Sequence, residues 1–169
     1  KDIDGITDQS MVGIYTGENV GFPPCTPQAC IEILDHYGIE ITGKNAVVIG
    51  RSLVVGKPAA LMLMKRNATV TVCHTRTIDM PSVVKRADIV IVSAGKAGII
   101  GKEYLREGQI VLDVGINVNA DGKLCGDVNF EEAQGIVEAI TPVPGGVGTV
   151  TTSVLVKHVV EAAKRKLKS

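Results

Sequence analysis

The strongest chemical signal in the sequence is a loop with a glycine at each end. Ala46-Val47-Val48-Ile49 is an apolar run, Gly50-Arg51-Ser52-Leu53-Val54-Val55-Gly56 follows it, and Lys57-Pro58 opens a stretch of helical spacing. A strand that feeds such a loop into a helix offers backbone N–H groups and the positive end of a helix dipole to a phosphate. Two nucleotide fingerprints match it imperfectly. A Walker loop needs a hydroxyl after its Gly-Lys to hold magnesium, whereas Pro58 follows Lys57 here and the glycines lie one residue too far apart. A G-x-G-x-x-G loop would have glycines at 50, 52 and 55, and this chain has Ser52 and Val55, with its next glycine at 56. Magnesium-nucleotide chemistry is disfavoured, which leaves a dinucleotide loop of altered geometry or merely a tight turn.

The end of the next strand bears on that choice. In dinucleotide domains an acidic residue about 20 positions after the glycines holds the ribose hydroxyls of NAD, and a cation in its place accommodates the 2′-phosphate of NADP. Here Thr69 to Cys73 runs into His74-Thr75-Arg76, with no carboxylate before Asp79. Arg51, Ser52, His74 and Arg76 would supply two guanidinium groups, a hydroxyl and an imidazole around one 2′-phosphate, so NADP is preferred to NAD. The competing reading makes Arg51 and Arg76 solvated loop charges. Ala94-Gly95-Lys96 and Gly115-Ile116-Asn117 follow two further strand-like runs and could line the same crevice. Asp113 lies inside an apolar run, which points to a buried, hydrogen-bonded carboxylate rather than a base.

The elements that must position these residues alternate. Strands are expected at Asn45–Ile49, Ala68–Cys73, Ile89–Ser93, Gln109–Val114 and Val137–Thr141, with little polar alternation, as in a parallel sheet covered on both faces. Helices are expected at Pro58–Arg66, Met80–Arg86, Asn129–Gly135 and Val150–Lys168, with a helical turn at Lys102–Arg106. The order is that of an α/β, doubly wound, Rossmann-like domain with a mainly parallel sheet and flanking helices. Asn119-Ala120-Asp121-Gly122 would turn the chain into a returning strand over Leu124–Val128, the one irregular element of the sheet. Residues 1–24 read as a linker or loop ending in Phe22-Pro23-Pro24. Thr26-Pro27 then caps a helix over Gln28–Tyr37 that Gly38 stops. Pro142 to Gly148 reads as a loop that no regular element can contain. The Lys164, Arg165, Lys166 and Lys168 tail reads as cations meeting the dipole at a helix C-terminus. The resulting division is an interdomain segment and helix at 1–38, a cofactor-binding domain at 39–148 and a C-terminal helix at 149–169.

Composition narrows the function classes. The 169 residues are 45% apolar, and 18 Lys+Arg balance 18 Asp+Glu; with no Trp, 3 Tyr and 2 Phe, neither a polyanion-binding charge nor a base-stacking surface is available. Apolar runs fall far short of the roughly 18 residues of a membrane span, and no signal peptide is visible. Cys25, Cys30, Cys73 and Cys125 form no C-x-x-C pair, so they are read as reduced core thiols of a cytoplasmic protein with no metal site. The chain opens at Lys1 without Met, which reads as a fragment or a processed chain.

Seven motifs in order resemble one family along the whole chain. They are Lys1-Asp2-Ile3-Asp4-Gly5, Pro24-Cys25-Thr26-Pro27, Val48 to Ser52 with Val55-Gly56-Lys57-Pro58, Asn67 to His74, Asp113-Val114-Gly115-Ile116-Asn117, Gly126-Asp127-Val128, and Ile140 to Gly148. The chain resembles the bifunctional methylenetetrahydrofolate dehydrogenase/methenyltetrahydrofolate cyclohydrolase family. The resemblance implies NADP-dependent oxidation of methylenetetrahydrofolate to methenyltetrahydrofolate, and its hydrolysis to 10-formyltetrahydrofolate. It places Gly50, Arg51 and Ser52 at the cofactor phosphates, Thr75 and Arg76 by the 2′-phosphate, and Ile116 near the nicotinamide end; Gly56, His74 and Gly95 are further expected cofactor-binding residues. Asp4 would bind the pterin ring of the tetrahydrofolate substrate, with Pro144, Gly145 and Gly146 beside it. It also implies a homodimer formed through the cofactor domain, with the hairpin at 116–128 as a candidate contact. Two departures stand out. The family usually reads Pro-Met-Thr where this chain has Thr149-Val150-Thr151, and the family's principal acid/base lysine lies in a Tyr-x-x-x-Lys motif of a preceding α/β domain that these residues do not contain. The chain alone is therefore expected to bind NADP and to turn over folate feebly or not at all. Open alternatives are an NADP-dependent dehydrogenase of another substrate and a non-catalytic dinucleotide-binding module.

Overall fold

A computed structural model describes residues 2–167; Lys1 and Lys168, both named above, lie outside the described residues. Five parallel strands form one sheet in the order β2-β1-β3-β4-β7: β1 is Asn45–Ile49, β2 Thr69–Cys73, β3 Ile89–Val92, β4 Ile110–Asp113 and β7 Ala139–Ile140. All five run the same way, with Ile49 beside Cys73 and Val92, and Val92 beside Asp113, so their C-terminal ends share one edge. The order reverses at β1, the switch point where a doubly wound sheet opens its crevice.

The central strands β1, β3 and β4 are apolar on both faces and covered on both, while β2 at the edge exposes Thr69, Thr71 and Val72. Ala46, Val48, Ile89, Ile91 and Leu112 pack under helices α2 (Cys25–His36), α3 (Gly56–Lys65) and α6 (Val147–Leu167). Val47, Ile49, Val90, Val92 and Val111 pack on the other side with Val84 of α4 (Met80–Lys85) and Ala133 of α5 (Phe130–Ala133). Gln109 is fully buried at the foot of β4, where its Nε2 donates to the carbonyls of Val84 and Ala87 and its Oε1 accepts from the Arg106 amide.

Several boundaries differ from those expected. Residues 1–24 are not a plain loop, because Asp8–Thr16 forms a helix, α1. The Asp2 carboxylate gathers the amides of Gly5, Ile6 and Thr7 and the hydroxyls of Thr7 and Ser10, which organises the turn before the helix, and Gly17 ends it at φ 76°. Helix α2 begins at Cys25 rather than Gln28. Pro27 falls in its first turn, where a missing N–H costs nothing. Helix α6 takes in Val147 and Gly148, so the loop after β7 is shorter than Pro142 to Gly148. The returning strand over Leu124–Val128 shrinks to β6, Leu124–Cys125, which pairs antiparallel with β5, Asn117–Val118, as a separate two-stranded sheet outside the main one. Val128 instead makes an isolated parallel bridge to Ile100. Arg165 does more than meet the helix dipole: it lies 4.2 Å over the Phe22 ring and donates to the Gly21 carbonyl at 3.0 Å.

Candidate dinucleotide site

The loop after β1 is built by two glycines that leave no room for a side chain. Gly50 has φ 122°, and a Cβ there would strike the carbonyl and hydroxyl of Ser93 on the adjacent strand end. At Gly56 a Cβ would overlap the backbone of Gly50 and Arg51, so α3 begins in contact with the loop it follows. The glycine spacing differs from G-x-G-x-x-G, yet the close approach of loop to helix that its last glycine permits is present. Ser52 holds the curve: its Oγ accepts the amides of Val55 at 3.0 Å and Gly56 at 3.3 Å. The Ser52 hydroxyl proton remains available to a ligand.

What the loop leaves open is a set of donors. The Gly50 amide is spent on the Cys73 carbonyl, whereas the amides of Arg51, Ser52, Leu53 and Val54 meet no protein acceptor among the described residues. These four residues are exposed and stand at the N-terminus of the ten-residue α3. Unspent amides and a helix dipole fit an anionic pyrophosphate.

Alongside, the loop after β2 turns sharply. The His74 amide donates to Thr77 Oγ1, the Thr77 amide to the His74 carbonyl, and the Arg76 amide to His74 Nδ1. The imidazole therefore carries its proton on Nε2 and uses Nδ1 to shape the turn that presents Thr75 and Arg76. Thr75 and Arg76 are exposed, as is Arg51, and the in-register pairing of β1 with β2 sets the two arginines on one edge. No carboxylate follows β2 before Asp79, so no acidic group competes with a 2′-phosphate there.

The ends of β3 and β4 form the rest of the edge. Gly95 sits at φ 69° with open space around it, and Ile116 is 70% exposed just before β5. Asp113 is buried as expected and accepts from the amides of Gly115, Asp127 and Val128. Burial pushes its carboxyl above the usual aspartate range, with the nearby Asp127 charge adding to the shift and the three amides opposing it.

The folate candidates lie to one side. Parallel pairing of β7 puts the turn at Pro142–Gly146 on the same edge, with Pro144 and Gly145 exposed and Gly146 pressed against the Pro142 carbonyl. Asp4 is exposed; burial raises the pKa of the Cys25 thiol at the start of α2, and the Asp4 charge adds to that shift. Neighbouring Thr26 meets Thr151 of α6, so Asp4 and the turn are related through the α2–α6 contact. No hydrogen bond joins Asp4 to that turn among the described residues.

Three anchoring groups escaped sequence reasoning. Asp127 is fully buried and takes four hydrogen bonds. His158, 4% exposed, donates from Nδ1 to the Ile3 carbonyl at 2.8 Å, and Asp2 organises the turn that carries Asp4. A carboxylate set between Gly126 and Val128 was the signal for the first. A lone imidazole on the apolar face of α6 was the signal for the second.

Comparison with known proteins agrees with this geometry. Residues 24–167 match the family described as tetrahydrofolate dehydrogenase/cyclohydrolase, NAD(P)-binding domain. The bifunctional protein FolD of Clostridium botulinum is 56% identical over 165 residues, which cover 98% of this chain and 58% of that protein. The protein of the same name from Carboxydothermus hydrogenoformans is 52% identical over 166 residues, covering 97% and 58%. Among solved structures, the Campylobacter jejuni bifunctional enzyme FolD superposes with a TM-score of 0.95 at 43% identity, over 98% of this chain and 59% of that one. The Trypanosoma brucei enzyme, solved with NADP cofactor and inhibitor, gives 0.92 at 38% identity, over 100% and 60%. The chain thus spans less than two thirds of the length of these relatives.

Proposed function

The chain belongs to the tetrahydrofolate dehydrogenase/cyclohydrolase family, and from that premise we propose that its sheet edge binds NADP for the oxidation of methylenetetrahydrofolate to methenyltetrahydrofolate, which water then converts to 10-formyltetrahydrofolate. The observation that carries this reading is the row of unspent amides at Arg51 to Val54, beside a β2 end that offers Arg76 and no carboxylate. NADP, when bound, accepts the hydride that leaves the methylene carbon.

The chain's own residues bind and orient. The loop from Gly50 to Gly56 holds the pyrophosphate, and Arg51, Ser52, His74, Thr75 and Arg76 surround the 2′-phosphate, with His74 acting through the turn it shapes. Gly95 and Ile116 border the nicotinamide end. Asp4 and the turn at Pro144, Gly145 and Gly146 hold the folate. We assign the acid/base lysine of the hydrolytic step to an α/β domain outside these 169 residues, toward which the segments 1–38 and 149–169 would pack. The exposed Val156, Val159 and Val160 of α6 suit such a cover. Val118 and Leu124 expose apolar side chains on the β5–β6 hairpin, which supports a homodimer contact there. No described helix is long and apolar enough to cross a membrane, and four cysteines without a disulfide suit a cytoplasmic setting.

Calorimetric titration of NADP, with NAD as comparator, tests the cofactor reading. A clear preference for NADP is expected, with the preference lost in Arg76→Ala. Equal affinity for both would overturn the 2′-phosphate assignment, and binding of neither would overturn the site.

A further inference from the structure

Behind the β3 end of the edge, one buried carboxylate does work that the proposed reaction leaves unassigned. Asp127 Oδ2 accepts the amides of Ala94 at 2.6 Å and Gly95 at 2.8 Å, while Oδ1 accepts the Lys96 amide and Asn117 Nδ2, both at 2.9 Å. Three consecutive amides converging on one anion form a nest, the arrangement by which backbone binds phosphate. In this nest the anion is the protein's own.

Two consequences follow from that occupancy. The donors of the β3 loop are spent inward, so this loop cannot compete with the β1 loop for the pyrophosphate. With its amides turned inward, the loop leaves Gly95, open on its outer side, and the exposed residues 94–96 facing the crevice. The same carboxylate ties the loop to Asn117, the residue after Ile116, so the β3 loop and the β5–β6 hairpin are set as one unit. Gly115 belongs to that unit, since a Cβ there would overlap the Asp127 carboxylate.

We propose that Asp127 is a positioning residue that fixes which half of the dinucleotide lies where: by filling the Ala94–Lys96 nest, it reserves the β1–β2 side for phosphates and shapes the β3–β4 side for the nicotinamide riboside, which brings no anion of its own. The proposal deepens the NADP reading above and rests on it. Asp127 acts through the loop and need not touch the cofactor.

The isosteric Asp127→Asn variant isolates this role. Each carboxylate oxygen takes two donors, so whichever way the carboxamide is turned, its NH₂ faces two N–H groups and leaves them without an acceptor. The measurement is calorimetric affinity of the full chain for two probes, NADP and adenosine 2′,5′-bisphosphate, with a thermal melt of each variant. The bisphosphate carries the 2′-phosphate and the adenosine but lacks the nicotinamide half. The expected result is an NADP affinity weakened about tenfold or more, with the bisphosphate affinity held within about twofold. A merely structural role would move both probes together, and that outcome overturns the proposal, as does an unchanged NADP affinity in a folded variant. Asn117→Ala removes one donor without disturbing the three amides, and keeps the test decisive if the aspartate variant fails to fold. It should weaken NADP a few-fold and spare the bisphosphate; equal loss of both, or no loss, overturns the proposal. If the unaltered chain binds the bisphosphate but gains nothing from the nicotinamide half, the proposal fails while the 2′-phosphate site stands. If it binds neither probe, the cofactor reading fails and takes this inference with it.

Discussion

Replacing Gly56 with alanine tests whether the phosphate loop depends on contact between backbone and helix. Gly56 is the first residue of α3 and does not have a positive φ, so alanine meets no conformational barrier there. Helix propensity alone would favour it by up to about 1 kcal/mol. The added Cβ, however, would lie closer than 3.0 Å to the Gly50 carbonyl oxygen and carbon and to the Arg51 nitrogen. All three are backbone atoms, so no rotamer change relieves the overlap, and the loop and helix must part by on the order of 1 Å. Overpacking of this kind costs about 1–3 kcal/mol, which offsets the propensity gain and leaves a net loss of about 0–2 kcal/mol. The effect on binding is larger. The amides of Arg51 to Val54 move with the loop, and losing one or two charge-assisted hydrogen bonds at about 1.5–3 kcal/mol each weakens NADP by at least about tenfold. Urea denaturation reads the first quantity and calorimetry the second. Gly148→Ala serves as control, because that glycine also lies in a first helical turn but has nothing within 4 Å of a new Cβ. Unchanged NADP affinity in a folded Gly56→Ala protein would refute the argument, whatever happened to stability.

Acid stability should depend on Asp2. Burial tends to raise its carboxyl, but the Thr7 amide and hydroxyl, the Ser10 hydroxyl and the Ile6 amide outweigh that and hold it well below its ordinary 3.8. A folded-state value below the unfolded one means that its contribution is complete above about pH 4 and fades as pH falls toward the folded-state value. Asp2→Asn should therefore be less stable than the parent by on the order of 1 kcal/mol at neutral pH, and the gap should close in acid; a gap independent of pH in denaturant titrations would refute it. Thiol chemistry should be selective. Burial pushes Cys25 and Cys30 up to about 12, with Asp4 adding to the shift at Cys25, and burial raises Cys73 as well. Iodoacetamide at about pH 8 should modify only the half-buried Cys125 in the folded protein, as read by mass spectrometry. Labelling of Cys25 would contradict its packing against Ile3 and His158.

The parts of the fold that were legible are those written in local pattern. Apolar runs with little polar alternation identified β1, β3 and β4, because strands covered on both faces leave few positions for a polar residue; β2, at the sheet edge, instead alternates Thr and Val and exposes both threonines. The misreadings fall where a distant group decides a local conformation. Residues 1–24 look like loop because their composition is polar and Gly-rich, yet the Asp2 carboxylate organises the turn before the helix at Asp8–Thr16, and Gly13 is buried against the Val20 carbonyl. The hairpin was located correctly as a hairpin, but its exclusion from the main sheet follows from β7, which takes the position beside β4.

The candidate site divides along the same line. Most residues that would meet a ligand sit in loops with at least partial exposure, Gly56 at the buried start of α3 excepted, and are recognisable by type: glycine where backbone approaches backbone, arginine where a phosphate is due. The residues that aim them are buried, and only a folded chain reveals what they hold. Asp113 and Asp127 show the difference. Both are carboxylates in apolar surroundings within the same sheet edge. Asp113 was readable as a structural group because it lies in an apolar run, and its carboxylate accepts the amides of Gly115, Asp127 and Val128. Asp127 reaches back 31 to 33 residues to the amides of the β3 loop, a span over which no sequence spacing signals a hydrogen bond. A site of this architecture would therefore be specified twice, once by the residues proposed to touch the cofactor and once by the internal anion that occupies the backbone amides of the neighbouring loop. The second specification makes the difference between loops with phosphate-binding amides to spare and loops without them, and the contrast between the ends of β1 and β3 in this chain has that origin.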